Sequence, residues 1–266
     1  MTGAEVNGLW IGPRLSPLER ACVQSFLAKG YRFNLYAYED VANVPTACTI
    51  RDAATLVPRS QVFAHSSGPG LGSLAGFSDL FRYKLLHEHG GWWIDLDVFC
   101  LTDALPDVPI AIGRQDANLL NGAILRFPRG HAAMDEAYRE CVAKGDSAQW
   151  AEIGPELLTR YVAAGKIATQ VLPAHVFYPL HFTQFWAAFD PRRTAHAATT
   201  IERATCLHLW NEMIRRHGID KNVLPPDGSL LRNLYEWTIG TDGFTHEYRL
   251  AATCPRDSLA LELFER

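Results

Sequence analysis

The stretch GGWWIDLDVF, residues 90–99, decides how this 266-residue chain is read. An apolar, aromatic run of this kind buries itself as a strand, yet it carries Asp95 and Asp97 one residue apart. Side chains at i and i+2 of a strand point the same way, so both carboxylates are expected on one face. Two carboxylates in a partly dry site repel, and one takes up a proton unless a cation neutralises them. Oxygen donors select a hard divalent ion such as Mg²⁺ or Mn²⁺, which keeps open positions for phosphate oxygens. An arbitrary Asp-x-Asp is more often a turn cap beside an arginine. The context here favours a diphosphate clamp, because the pair ends an apolar strand, follows a glycine-terminated helix and lies downstream of a nucleotide-type unit.

Immediately upstream, SDLFRYKLLHEHGG predicts a helix with Ser78 as its cap, apolar positions at Phe77, Leu80, Phe81 and Leu85, and a double-glycine stop. Near the start, GLWIG predicts a short buried strand ending at Gly12 and Pro13. SPLERACVQSFLAKG then predicts a helix capped by Ser16, with Pro17 at its first position and Gly30 closing it. YRFNLYAYED follows as a strand. Strand, helix and strand in quick succession imply a βαβ unit and a mainly parallel sheet flanked by helices, an α/β fold that binds nucleotides at the carboxyl ends of its strands. There is no internal repeat, low-complexity tract or linker, so residues 1–266 are read as one domain.

Composition narrows the field. Hydrophobic residues make up 48% and charged residues 20%, as in ordinary globular domains, while seven tryptophans leave some available for stacking. A formal net charge of −4 gives no general attraction for nucleic acid or anionic lipid, so phosphate has to be handled locally. The six cysteines, Cys22, Cys48, Cys100, Cys141, Cys206 and Cys254, show no zinc spacing and read as reduced thiols of a cytosolic protein. No signal peptide and no uninterrupted apolar span of ~18–20 residues is present. VLPAHVFYPLHFTQFWAAF, from Val171, is broken by prolines and histidines and reads as a loop-rich aromatic segment suited to lining a site.

At this point the sequence resembles the sugar-nucleotide-dependent transferases of the glycosyltransferase-A fold with a DXD sugar-binding region. Their relatives include fungal α-mannosyltransferases, α-1,4-galactosyltransferases, bacterial polysaccharide and glycolipid transferases, and clostridial glucosylating toxins. LWIG, FSDLFRYKLLHEHGGWWIDLDVF, NGAILRFPRGH and HLWN carry the resemblance, from Leu9 to Asn211. It implies a Rossmann-like sheet and a metal-dependent, retaining hexosyltransferase. The donor is a nucleotide-diphosphate sugar, UDP first and GDP second, and the acceptor a saccharide, glycolipid or other hydroxyl compound. By the same resemblance Asp95 and Asp97 hold Mn²⁺ or Mg²⁺ on the diphosphate, with His208 completing the metal shell. Asp79, Arg82, Asp95, Trp10 and Ile11 contact the donor, Asn121 lies near the reacting sugar, and Trp210 and Asn211 lie over the diphosphate. Arg82 and Asn121 join the two aspartates as the catalytic set, Gly122 lets backbone approach a ligand, and GPELL at Gly154 lies near the acceptor or sugar. Trp93 stands where relatives often have tyrosine, and facing the donor it would alter sugar preference.

No carboxylate is marked as a covalent nucleophile, so front-face attack is expected, a diphosphate oxygen accepting the acceptor's proton. The expected setting is the cytoplasm, with peripheral contact at the inner face of the membrane through a lipid-linked acceptor and no nucleic-acid partner. Two rivals remain. A haloacid-dehalogenase-type phosphohydrolase would use Asp95 to attack phosphate and Asp97 as acid and base, but that fold carries its motif on the first strand. An inert nucleotide-sugar-binding protein would keep the pocket without turnover.

Overall fold

Strand β1 (Glu5–Trp10), helix α1 (Pro17–Ala28) and strand β2 (Arg32–Ala37) form the expected βαβ unit, with β1 and β2 parallel from Glu5 opposite Arg32 to Trp10 opposite Ala37. The computed structural model describes residues 3–252 and 259–266; Cys254 lies outside the described residues. Ser16 caps α1, and its backbone N–H donates to the Glu19 carboxylate at 3.0 Å. Gly30 takes φ +86°, a conformation that lets the chain leave the helix and enter β2.

Strand β3 (Thr49–Asp52), helix α2 (Ala75–Glu88) and strands β4 (Gly91–Ile94), β5 (Val98–Cys100), β6 (Ala111–Arg114) and β7 (Leu120–Phe127) follow. The central sheet has the order β3-β2-β1-β4-β7-β6. All its strands are parallel except β7, which runs antiparallel to both β4 and β6. Having built outward from β1 to β3, the chain returns to lay β4 on the other side of β1. The topological switch therefore falls between β1 and β4, and the carboxyl ends of those strands are Trp10 and the residues just after Ile94. A buried polar ladder ties the strands together: Asn7 donates to the Trp92 carbonyl at 2.9 Å, Asn34 to Asn7 at 3.1 Å and Arg51 to Asn34 at 3.3 Å.

Helices α3 (Ala132–Lys144) and α4 (Pro155–Ala163) share a core with α2, whereas α1 shares the other core with the later elements. Those are α5 (Ala174–Phe177), α6 (Thr194–Ile201), β8 (Cys206–His208), α7 (Asn211–Arg216) and α8 (Leu230–Thr238). Strands β9 (His246–Leu250) and β10 (Leu261–Glu265) make a separate antiparallel pair. Trp92 and Ile94 enter the α1 core and Trp93 the α2 core, the alternation expected of a strand. The chain thus has the mixed α/β architecture expected of a glycosyltransferase-A fold.

Two local expectations are corrected. Helix α2 begins at Ala75, and Ser78 lies inside it, its N–H donating to the Leu74 carbonyl at 2.9 Å. Burial of Phe77 in the α2 core carries the helix one turn further back, and the Ser78 hydroxyl accepts from Arg82 instead of capping. The aspartate pair is not on a strand either. Strand β4 ends at Ile94, a turn closes through Val98 N–H to the Asp95 carbonyl at 3.1 Å, and β5 starts at Val98. Only Asp95 still continues the sheet, its N–H donating to Ala123 at 2.8 Å.

Candidate active site

A cavity of about 640 Å³ opens at the β1–β4 switch, lined by residues of β1, α2, the aspartate turn, β7 and the β8–α7 segment. Trp10, Ile11, Asp79, Arg82, Asp95, Asp97, Asn121, His208, Trp210 and Asn211 all line it, so folding brings every candidate side chain to one cavity.

Arg82 is the hub of one wall. Its guanidinium meets Asp79 Oδ1 at 3.0 Å and both oxygens of Asp95 at 3.0 and 3.2 Å, and it donates to the Ser78 hydroxyl at 3.0 Å. The Trp93 ring lies under it at 5.4 Å, and the Trp93 indole N–H donates to Asp95 Oδ1 at 2.7 Å. Trp93 is fully buried and does not line the cavity, so it acts on any ligand through Asp95 and Arg82. Two glycines make room for this cluster. A Cβ on Gly122 would sit 2.5 Å from Arg82 Nη1, and one on Gly154 would sit 2.5 Å from Asp79 Oδ2. Burial disfavours charge on Arg82, but the carboxylates of Asp95 and Asp79 outweigh it and hold the guanidinium more firmly protonated than usual. Burial pushes Asp79 up to about 6, against the pull of Arg82, and raises Asp95 in the same way, with Asp97 adding repulsion.

Asp97 is held differently. Its Oδ2 accepts from the Asn211 backbone N–H at 2.8 Å and lies 3.1 Å from His208 Nε2, while its carbonyl accepts from Leu209 N–H at 2.8 Å. Burial raises its proton affinity, but His208 and the Asn211 amide outweigh burial and keep the carboxyl below its ordinary range. Strand β8 delivers these partners by pairing antiparallel with β5, Val98 opposite His208. Trp210 then adopts a left-handed conformation, φ +56° and ψ +53°, with its indole N–H donating to the Leu180 carbonyl at 2.8 Å and its ring 4.1 Å from that of His208. A bulky residue in that region is strained, and the strain persists because packing on both sides fixes it.

Among the described residues, the buried side-chain polar atoms without a partner are Trp10 Nε1, His208 Nδ1 and Asn211 Oδ1. All belong to residues that line this cavity. Buried polar atoms are rarely left unmatched, and these three lie together around one cavity. No group of three His, Cys, Asp or Glu side chains among the described residues is arranged to hold a metal ion. The trio Asp95, Asp97 and His208 shares a wall, but Asp95 faces Arg82 and Trp93 while His208 faces Asp97. Asn121 is anchored, donating to Gln115 at 2.7 Å and accepting from Ala123 N–H at 2.8 Å. The phosphohydrolase arrangement is not present: the motif follows the fourth strand, and Asp95 is committed to an arginine and an indole.

The sequence reading passed over other lining residues: Glu19, His65, Gln115, Trp150 and Arg216. Glu19 lies on α1, Arg216 on α7 and the other three in loops, and no local pattern ties any of them to a ligand. Phe182, within the aromatic segment singled out from the sequence, does reach the cavity, and Ile153 and Pro155 bring the GPELL segment to it.

Residues 126–236 match the conserved region of the alpha 1,4-glycosyltransferases, and residues 64–115 match a capsular polysaccharide synthesis protein family. The first match contains His208, Trp210 and Asn211, the second Asp79, Arg82, Asp95 and Asp97. Lactosylceramide 4-alpha-galactosyltransferase of Rattus norvegicus is 28% identical over 146 residues, covering 51% of this chain and 40% of that protein. The Mus musculus protein of the same name is 30% identical over 150 residues, with 51% and 40% covered. Human alpha-1,4-N-acetylglucosaminyltransferase is 25% identical over 171 residues, covering 59% and 48%. The chain thus spans less than half the length of these relatives. Among solved structures, PaToxG glycosyltransferase is similar with TM-score 0.46 and 15% identity over 62% of this chain and 70% of that one. Glycosyltransferase GlyE of Streptococcus pneumoniae has TM-score 0.43 and 12% identity over 88% and 59%. The chain is similar to the alpha-1,4-galactosyltransferases over about half its length, and its residues 126–236 match the conserved region of the alpha 1,4-glycosyltransferases.

Proposed function

We propose that this chain is a metal-dependent, retaining glycosyltransferase that moves a hexose from a nucleotide-diphosphate sugar to a saccharide, glycolipid or other hydroxyl acceptor. The observation that carries the reading is the clustering of unmatched buried polar atoms, Trp10 Nε1, His208 Nδ1 and Asn211 Oδ1, around a cavity that also holds the Arg82 and Asp97 clusters. UDP is the first base and GDP the second. The names of the relatives put galactose and N-acetylglucosamine first among sugars and a glycolipid first among acceptors.

Asp97 and Asp95 offer carboxylate oxygens, Asn211 an unmatched amide oxygen and His208 an imidazole, donor types that suit Mn²⁺ or Mg²⁺ and that would have to be drawn together on the ion. A divalent ion held by them would supply Lewis acidity toward the departing nucleotide diphosphate. The chain's own residues do the positioning. Arg82, held charged by Asp79 and Asp95, offers fixed N–H donors to sugar and phosphate oxygens. Asp79 and Asp95 accept hydrogen bonds from sugar hydroxyls and keep Arg82 in place. Trp10 and Ile11 bracket the nucleoside. The β8–α7 segment covers the diphosphate and excludes water. The acceptor hydroxyl enters on the face of the departing diphosphate, whose oxygen takes its proton, so the donor's α linkage is retained. Among the described residues no helix is long and apolar enough to cross a membrane, and we place the enzyme in the cytoplasm with peripheral contact through its acceptor.

The test is a calorimetric and turnover screen of UDP- and GDP-sugars with and without Mn²⁺, on wild type and Asp97→Asn. The expected result is one donor bound and slowly hydrolysed only with metal, with turnover reduced roughly 10²–10³-fold or more in the variant. Donor binding without any turnover would identify an inert binding protein, and release of inorganic phosphate a phosphohydrolase. Absence of any donor binding would sink the reading.

A further inference from the structure

The small β5–β8 sheet holds a feature that the transferase reading does not use. Cys100 and Cys206 stand directly opposite each other across this antiparallel pair, and both are fully buried. Opposed residues in such a ladder alternate between hydrogen-bonded pairs and closer non-hydrogen-bonded pairs. Leu101 N–H donates to the Thr205 carbonyl at 3.0 Å, one residue beyond the cysteines on each strand, and at the other end Leu209 N–H donates to the Asp97 carbonyl at 2.8 Å. That spacing makes Cys100 and Cys206 a non-hydrogen-bonded pair, for which Cα atoms lie about 4.5 Å apart, within the span a disulfide bridges. Side chains of such a pair lie on the same face of the two strands, and Cys100 Sγ reaches the Thr102 carbonyl at 3.1 Å. Beside them a second cavity of about 530 Å³ is walled by Leu101, Thr102 and Thr205, the residues that adjoin the pair. It brings solvent to the end of a ladder only three residues long.

We infer that Cys100 and Cys206 form a dithiol/disulfide site, oxidised by low-molecular-weight disulfides such as glutathione disulfide. The two thiols give up two protons and two electrons to form one Sγ–Sγ bond, and the glutathione disulfide is reduced to two molecules of glutathione. The link closes a loop of about 100 residues and so constrains the unfolded chain. It also staples β8, which ends in His208, to β5, which follows Asp97. The inference stands on strand register and does not depend on the transferase reading.

The test uses the full chain. Wild type, Cys100→Ser and Cys206→Ser are treated with graded glutathione disulfide, alkylated, digested without reduction and analysed by mass spectrometry. A second arm refolds the same proteins from urea in a glutathione redox buffer, which lets the pair meet before it is buried. The expected result is a peptide joining Cys100 to Cys206 in the wild type alone. Its formation raises the unfolding midpoint by roughly 5 °C or more, and dithiothreitol reverses the rise. In the refolding arm every thiol is exposed before burial, and the loss of free thiol measured in urea gives the extent of oxidation. If thiols are lost there and the Cys100–Cys206 peptide appears in neither arm, or if Cys22 is the partner found, the inference is overturned.

Discussion

Asp95 and Asp97 sit in one turn yet are held by opposite means. Asp95 is fixed by near neighbours in sequence: Trp93 two residues away, and Arg82 thirteen away on the preceding helix. Asp97 is fixed by His208 and Asn211, 111 and 114 residues away. The Asp95 half is a buried ionic cluster in which one guanidinium serves two carboxylates and every polar group has a hydrogen-bond partner, while the Asp97 half contains two of the unmatched buried atoms, His208 Nδ1 and Asn211 Oδ1. A satisfied network resists rearrangement, whereas unmatched polar atoms at a cavity wall are the ones a ligand can engage. On the proposed function, the α2–β4 half is the rigid side of the site and the β8–α7 half the side that meets the ligand.

The largest effect is expected from Arg82→Met. It leaves two buried carboxylates, Asp79 and Asp95, without a cation, and loss of one member of a buried ionic group typically costs about 3–5 kcal/mol. A urea-unfolding free energy within 1 kcal/mol of wild type (~RT ln 5) would break the claim that this half is a buried ionic cluster. Asp79 sharpens it through pH. Its folded value, about 6, lies above the ordinary carboxylate value, so the native state binds the extra proton and Asp79 loses stability as pH rises through 6. Relative to Asp79→Asn, the wild type should lose roughly 2–3 kcal/mol between pH 4 and pH 7. A flat difference between the two profiles would show that the carboxylate is ionised throughout.

A smaller effect tests the indole. Trp93→Phe keeps an aromatic ring under Arg82 and removes the N–H donor to Asp95, and should cost about 1–3 kcal/mol, part of it from lost volume. Trp93→Tyr tests whether a hydroxyl restores the donor; if it is no more stable than the phenylalanine variant, the 2.7 Å contact is not what holds Asp95. The smallest effect is the control. Lys84→Ala breaks the half-buried i,i+4 pair with Glu88 and removes the ammonium from over the Tyr138 ring of α3, contacts that together contribute about 0.5–1.5 kcal/mol. A cost above ~2 kcal/mol there would mean that helix α2 as a whole, rather than its buried charges, governs stability.

What the sequence determined by itself is short-range. Ser16, Pro17 and Gly30 set the limits of α1, Gly90 and Gly91 end α2 in left-handed conformations, and the three-residue spacing of Asp79 and Arg82 places them on one helix face. Each of these follows from helix geometry within a turn or two. Burial of Phe77, Leu80, Phe81 and Leu85 was likewise legible from their spacing. Tertiary structure decided the rest. It extended α2 back past Ser78 because Phe77 had a core to enter, and it moved Asp97 off the strand because the chain turns there toward β5. It inserted β7 antiparallel between β4 and β6, and it buried Trp93 away from the cavity. It also brought His208 and Asn211 onto Asp97, and Cys206 onto Cys100, through one short strand pair. The physical reason is that caps and helix faces depend on bonds between near neighbours. Strand partnership between distant segments depends on which pairing buries the most apolar surface with every backbone group matched, and that is settled only when the whole chain is folded.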